Sequence, residues 1–314
     1  MNVKNLDYEE KIMDNKIVIA VIVIAIIGVS AGAYLLFPSS SGNSLLPSGD
    51  APDWDVIVSG GGATTTVVSV SDMTEMPLTN VTHTIKGETG TYVGVLFTDF
   101  CERSGVSWYA GPVEVTASDG YSKTVNLYQA WNSTQYPEEK MILAFVKDGK
   151  YLTEETGGPV QLIAPSIASQ FQIKNVASLN VGLWVIQVTG DVSTPLNITG
   201  LDITDFETKT VQLAFAPGGE PQRTSNWTGA DLWSILEVAG VSETATKIKI
   251  TAIDGYSKEY NMIQAQVDGM LIGYLENGEH LTVKDGRPFR LFMEDPELKW
   301  GQYWVRWVAQ IEVY

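Results

Sequence analysis

Cysteine is almost absent from the chain. The 314 residues contain only Cys101, which excludes an intramolecular disulfide and any metal site built from several thiolates. Histidine is as scarce: His83 and His280 alone cannot form the cluster that zinc requires, and each is expected in a loop. No serine stands in a Gly-x-Ser-x-Gly setting, the sharp turn that exposes a hydrolase nucleophile. Positive charge is the third shortage. Twenty Lys and Arg face 37 Asp and Glu, a net charge of -17, and binding a phosphate backbone needs clustered basic residues, so nucleic acid is excluded as a partner. Apolar residues are not short. With 44% hydrophobic and 18% charged residues the composition can bury a core and does not indicate disorder, and the length suffices for two ordinary domains.

Residues 17–37 lack charge altogether. As a helix rising about 1.5 Å per residue they span roughly 30 Å, the hydrocarbon thickness of a bilayer. Lys4, Lys11 and Lys16 precede the run and the next basic residue is Lys86, so the positive-inside bias puts the N-terminus in the cytoplasm. The expected order is a cytoplasmic tail (1–16), a transmembrane anchor (17–37), a flexible Ser/Gly/Pro-rich linker (38–53) with little to pack, and domains at 54–182 and 183–314. A cleaved signal peptide is the competing reading, because Ala31-Gly32-Ala33 has the form of a cleavage site; the length of the run favours the anchor. Both export the bulk of the chain. Asn80, Asn132, Asn197 and Asn226 each open an Asn-x-Ser/Thr triplet, individually a weak glycosylation signal.

The domain count rests on a repeat. Asp119-Gly120-Tyr121-Ser122-Lys123 recurs 135 residues later as Asp254-Gly255-Tyr256-Ser257-Lys258, and 16 of the 39 positions of 92–130 are identical to those of 227–265 without a gap. Such a self-match marks a duplicated unit. Each copy opens with a strand after a tryptophan (54–60, 184–190), followed by a short helical bend near Asp72 and Asp202. A loop-rich stretch is expected next, at 82–90 and 216–225. Phe97, Phe100, Cys101 and Ser104 match Leu232, Ile235, Leu236 and Ala239 at the spacing of one helix face, with Gly105 and Gly240 as the expected stops and Thr228 as the expected N-cap of the second copy. Val113, Val115 and Ala117, like Ile248, Ile250 and Ala252, alternate as half-buried strands. The Asp-Gly that follows predicts a two-residue hairpin turn with Tyr121 or Tyr256 packed beside it. Hydrophobic strands at 141–146 and 270–275, Gly-x-Pro elements at Gly157 and Gly286, strands at 160–163 and 289–292, and final strands at 173–181 and 305–313 complete the copies. The predicted class is a β-rich α+β domain, twice.

In order, Trp227-Thr228-Gly229 plus helix, Asp254-Gly255-Tyr256-Ser257, Glu276-Asn277-Gly278-Glu279, Gly286-Arg287-Pro288-Phe289-Arg290-Leu291 and Val305-Arg306-Trp307-Val308 resemble the oxidoreductase molybdopterin-binding domain of the sulfite oxidase family. The resemblance covers 184–314 and, more faintly, 54–181. It implies a molybdopterin cofactor held through its pterin and phosphate, with molybdenum coordinated by one cysteine before the Trp-x-Gly helix. That cysteine is absent from 82–87 and 211–219, and Cys101 falls on the apolar helix stripe, where a thiol packs and its pKa rises. Arg290 and Arg306 match basic positions of the family's closing motif and Gly301 its glycine, so the resemblance implies that these three touch the cofactor. Copy one has Gln161 and Lys174 at the arginine positions. Without the resemblance, Arg290 and Arg306 read as strand residues paired with carboxylates such as Glu294 or Glu312. Trp300, Tyr303, Trp304 and Trp307 suggest a sugar or peptide platform, but Trp304 and Trp307 fall on opposite faces of a strand, so at least one belongs to the core.

Two functions therefore stand. One is a non-catalytic, membrane-tethered surface module, without an assigned catalytic or metal-binding residue, whose partner is a cell-surface protein or a glycan. The other is an exported molybdopterin-dependent oxidoreductase that holds its cofactor through Arg290, Gly301 and Arg306.

Overall fold

The structure, a computed structural model, describes residues 45–134, 136–215, 223–294 and 301–314. The anchor expected at 17–37 lies outside these; among the described residues no helix is long and apolar enough to cross a membrane. The first copy contains β1 (Asp55–Gly60), β2 (Ala63–Ser69), helix α1 (Val70–Thr74), β3 (Leu78–Ile85), β4 (Glu88–Leu96), α2 (Phe97–Arg103), β5 (Ala110–Ala117), β6 (Ser122–Asn126), α3 (Leu127–Ser133), β7 (Ile142–Lys147), β8 (Lys150–Tyr151), β9 (Gln161–Ile163) and β10 (Val176–Leu183). The second contains β11 (Val185–Gly190), β12 (Leu196–Thr199), β13 (Thr208–Phe215), β14 (Arg223–Asp231), α4 (Leu232–Ala239), β15 (Lys247–Ala252), β16 (Ser257–Asn261), α5 (Met262–Ala265), β17 (Leu271–Glu276), β18 (Glu279–His280), β19 (Arg290–Phe292) and β20 (Val308–Val313).

Each copy is built on two five-stranded sheets. One runs β2-β1-β10-β5-β6 and is repeated as β12-β11-β20-β15-β16; the other runs β3-β4-β7-β8 with β9 on β7, and is repeated as β13-β14-β17-β18 with β19 on β17. In both copies the first strand lies parallel to the last, and the repeated tryptophan explains why. Trp54 Nε1 donates to Val176 O at 2.7 Å and Trp184 Nε1 to Val308 O at 2.7 Å, so each indole joins the start of its copy to that copy's end. Val113 and Val115, like Ile248 and Ile250, are fully buried, as their alternation requires.

Several expectations are corrected. The stretch 82–90 is a hairpin, not a loop: β3 and β4 pair without a shift from Leu78↔Val95 to Ile85↔Glu88, around Lys86 and Gly87, both at positive φ. Its β-branched threonines suit a pleated strand better than their polarity suggests. In the counterpart stretch, 216–222 lies outside the described residues and 223–225 begins β14. Thr228 is inside β14, and the cap of α4 is Asp231, whose carboxylate accepts from Ser234 N at 3.1 Å. His83 and His280 are in β3 and β18 and not in loops. The linker also has more to pack than expected, since Leu45, Leu46 and Ala51 lie against the core of copy one. The final strands begin only at Val176 and Val308, because Asn175 and Trp307 take left-handed φ of 51° and 53°.

The Asp-Gly turns close three-residue loops where two were expected. Ala117 N donates to Tyr121 O and Gly120 N to Ala117 O, as Ala252 N does to Tyr256 O and Gly255 N to Ala252 O. Asp119 and Asp254 each accept from the tyrosine amide two residues on at 2.9 Å, which shapes the loop and leaves the glycine in the left-handed position. Gly120 and Gly255 have φ of 87° and 88° with open space where a Cβ would lie, so strain alone sets the effect of a side chain. Gly120→Ala and Gly255→Ala are each expected to destabilise by about 1 kcal/mol and, being far apart, to add in the double variant; urea unfolding of the full chain checks this.

Candidate functional site

Copy two holds a cavity of about 450 Å³ whose wall includes Asp254, Tyr256, Lys284, Asp285, Arg290, Gly301, Arg306 and Trp307. Five of the nine positions singled out in the sequence, Asp254, Tyr256, Arg290, Gly301 and Arg306, thus meet in one place. Gly255 shapes their loop without lining the cavity. Asp119, Gly120 and Tyr121 form the matching turn of copy one, where Tyr121 OH donates to Gln170 O at 3.0 Å. In copy two Tyr256 OH donates to Gln302 O at 2.5 Å and thereby ties the hairpin to the turn at Gly301–Tyr303.

Arg290 is the deepest charge. It projects from β19, flanked by the buried Phe289, Leu291 and Phe292, and is 4% exposed. Its Nη1 donates to Asp285 O at 2.9 Å, its guanidinium lies 4.3 Å over the Phe215 ring, and its Nε is buried with no hydrogen-bond partner among the described residues. Burial first, then the charge of Arg306, pulls its pKa down to about 9 against the pull of Asp285, so it remains protonated at neutral pH. Arg306 is exposed, lies over Trp307 at 4.4 Å, and donates from Nη1 to Lys284 O at 3.0 Å. Neither arginine pairs with Glu294 or Glu312 in these contacts. Trp307 Nε1 is a second buried donor without a partner among the described residues.

Carboxylates support the arginines from behind. Arg223 Nη2 bridges Asp285 Oδ1 at 2.6 Å and Glu276 Oε2 at 3.0 Å. Asp285, although burial pushes it up, is held below the usual carboxylate range by the Thr282 hydroxyl and Arg223. Sequence reasoning missed Lys284, Asp285, Arg223 and Glu276, which share no motif; the available signal was one arginine inside the apolar strand 289–292. Of the expected aromatic platform, Trp304 and Trp307 are both buried. Trp304 is in the core, stacked on Phe215 at 4.6 Å, Trp307 is buried beneath Arg306 and the Tyr128 ring of copy one, and Trp300 lies outside the described residues.

The cavity wall suits an oxyanion, because the Arg290 and Arg306 guanidinium groups and Lys284 lie on it; the orphaned Arg290 Nε and Trp307 Nε1 have no exposed surface of their own. The wall does not suit cysteine-ligated molybdenum. Cys101 is 1% exposed in the core of copy one, and burial pushes its pKa far up, whereas a soft metal needs an accessible thiolate. Among the described residues no three His, Cys, Asp or Glu side chains are grouped to hold a metal.

The family described as oxidoreductase molybdopterin binding domain matches the chain twice, over residues 43–183 and 175–314. No curated protein matches the sequence. Among solved structures, the sulfane dehydrogenase SoxCD from Paracoccus pantotrophus is similar at 17% identity and a TM-score of 0.38, over 57% of this chain and 48% of that chain. The chain thus spans about half the length of that relative, and the likeness is too loose to carry a conclusion.

The buried thiol gives a direct check. Cys101 is expected to react with a thiol reagent at least about a hundredfold more slowly in the native full chain than in denaturant; a fast native reaction would mean that the sulfur is accessible.

Proposed function

The chain belongs to the oxidoreductase molybdopterin binding domain family, in two tandem copies, and from that premise we propose that it is a membrane-tethered, extracytoplasmic module whose second copy binds a phosphorylated anion without redox chemistry. The tether is supported by the charge-free run at 17–37 and the lysines before it, and its partner is a cell-surface protein or a glycan that carries or accompanies the anion. One observation carries the binding function: Arg290, a guanidinium buried to 4% exposure, lines the cavity together with Arg306.

In this reading Arg290 supplies a fixed positive charge at the base of the cavity, and its aromatic surroundings keep water from screening it. Arg306 and Lys284 close over the outer oxygens, while Tyr256 and Gly301 shape the wall. Copy one, with Gln161 and Lys174 at the arginine positions, has neither the buried charge nor the pair.

The second reading, an exported molybdopterin-dependent oxidoreductase of the sulfite oxidase type, is supported by the same cavity, because a pterin phosphate would meet the same donors. It requires a metal ligand other than cysteine.

Calorimetric titration of the full chain with inorganic phosphate at low salt tests the binding function. Arg290→Gln is expected to weaken binding at least about tenfold, and Arg306→Gln less, because exposed charges are screened. Arg290, Arg306 and Lys284 together attract the anion, and the part that Arg290 contributes is present below its own pKa and is lost as pH rises through about 9. Equal affinity in wild type and Arg290→Gln would sink the proposal.

A further inference from the structure

The two copies have diverged at complementary places. At the 135-residue offset, Trp108, Tyr109, Tyr128 and Trp131 of copy one become Glu243, Thr244, Ile263 and Gln266. Where copy two has Arg287, Arg290, Arg306 and Trp307, copy one has Gly158, Gln161, Lys174 and Asn175. One set is aromatic and belongs to copy one; the other, cationic except for Trp307, belongs to copy two. The structure brings the two sets together.

The contact converges on the turn 282–287. Its outer side reaches copy one through Arg287, whose Nη1 pairs with Glu102 Oε1 at 2.8 Å, whose Nε donates to Trp108 O at 3.2 Å, and whose guanidinium lies 5.2 Å over Trp131. The inner side carries the cavity: the carbonyls of Asp285 and Lys284 accept from Arg290 and Arg306 at 2.9 and 3.0 Å. The turn is internally braced, with Asp285 N and Arg287 N donating to Thr282 O, and Gly286 N to Val283 O. A second route runs through Tyr128, whose ring meets Trp307 at 4.6 Å, directly under Arg306. The equivalent of Tyr128 in copy two, Ile263, is 78% exposed.

We propose that copy one acts as a clamp on the anion cavity of copy two, with Glu102 and Tyr128 as positioning residues that act through the turn 282–287 and the Trp307 ring. The two copies thus divide the work: one holds the ligand, and the other fixes the arginine geometry. The consequence for affinity rests on the binding function proposed above, but the mechanical link does not.

Two measurements on the full chain separate the possibilities. Hydrogen exchange is compared in wild type, Glu102→Arg, Tyr128→Ile and the charge-swapped pair Glu102→Arg with Arg287→Glu, and each is titrated with inorganic phosphate. Glu102→Arg is expected to speed exchange of the Asp285, Gly286 and Arg287 amides at least about tenfold, with the sheets of copy two unchanged, and to weaken phosphate binding by a similar factor. The swapped pair restores both, which a residue that merely stabilises the fold would not produce. Tyr128→Ile is expected to weaken binding severalfold without moving the midpoint of urea unfolding by more than about 0.3 M. Unchanged exchange at 285–287, or faster exchange throughout copy two, overturns the clamp. If wild type binds no phosphate, the proposed function falls, and the exchange comparison still decides the clamp.

Discussion

A guanidinium group taken out of water is the constraint around which the second copy is arranged. An unpaired ion in a protein interior costs on the order of several kcal/mol, and Arg290 carries its charge at 4% exposure. The Asp285 carbonyl, the Phe215 ring and the carboxylates of Asp285 and Glu276 offset part of that cost. Arg223 in turn holds both carboxylates in place. The same neighbourhood leaves Nε without a partner among the described residues. A chain that keeps such a charge in an apolar strand retains something that hydrophobic packing would replace to advantage, and the proposed anion binding would supply a reason.

The duplicated fold provides the scaffold on which this difference arose. In both copies a tryptophan joins the first strand to the last, a short helix covers the sheet, and an Asp-Gly-Tyr loop stands beside the final strand. Shared features carry the fold, while features present in one copy only gather at the cavity and at the contact between copies. Gln161 in place of Arg290 is the clearest case: the strand is kept and the charge is gone.

Much of the fold was legible because its signals are local. Alternating Val113, Val115 and Ala117 faces a core, the i, i+3, i+4 pattern at Phe97 and Leu232 makes a helix, and Asp-Gly makes a turn. Helices α3 and α5 were missed because seven and four residues are too few to show a period, although Asn126 and Asn261 stood ready as caps. Of the site, Arg290, Gly301 and Arg306 were legible only through the family resemblance. Their meeting with Asp254 and Tyr256 was not, because the hairpin and the final strand come together through sheet pairing. Glu102 and Arg287 are 185 residues apart, and an ion pair across two copies leaves no trace in the pattern of either.

The central claim is that the second copy keeps an anion cavity from which the molybdenum ligand has been lost. Molybdenum and tungsten analysis, with pterin fluorescence after acid release, on the full chain purified from its native host tests this most directly. The account predicts no metal approaching one equivalent per chain. Near-stoichiometric metal together with pterin would contradict it and establish a working cofactor site with a ligand other than cysteine.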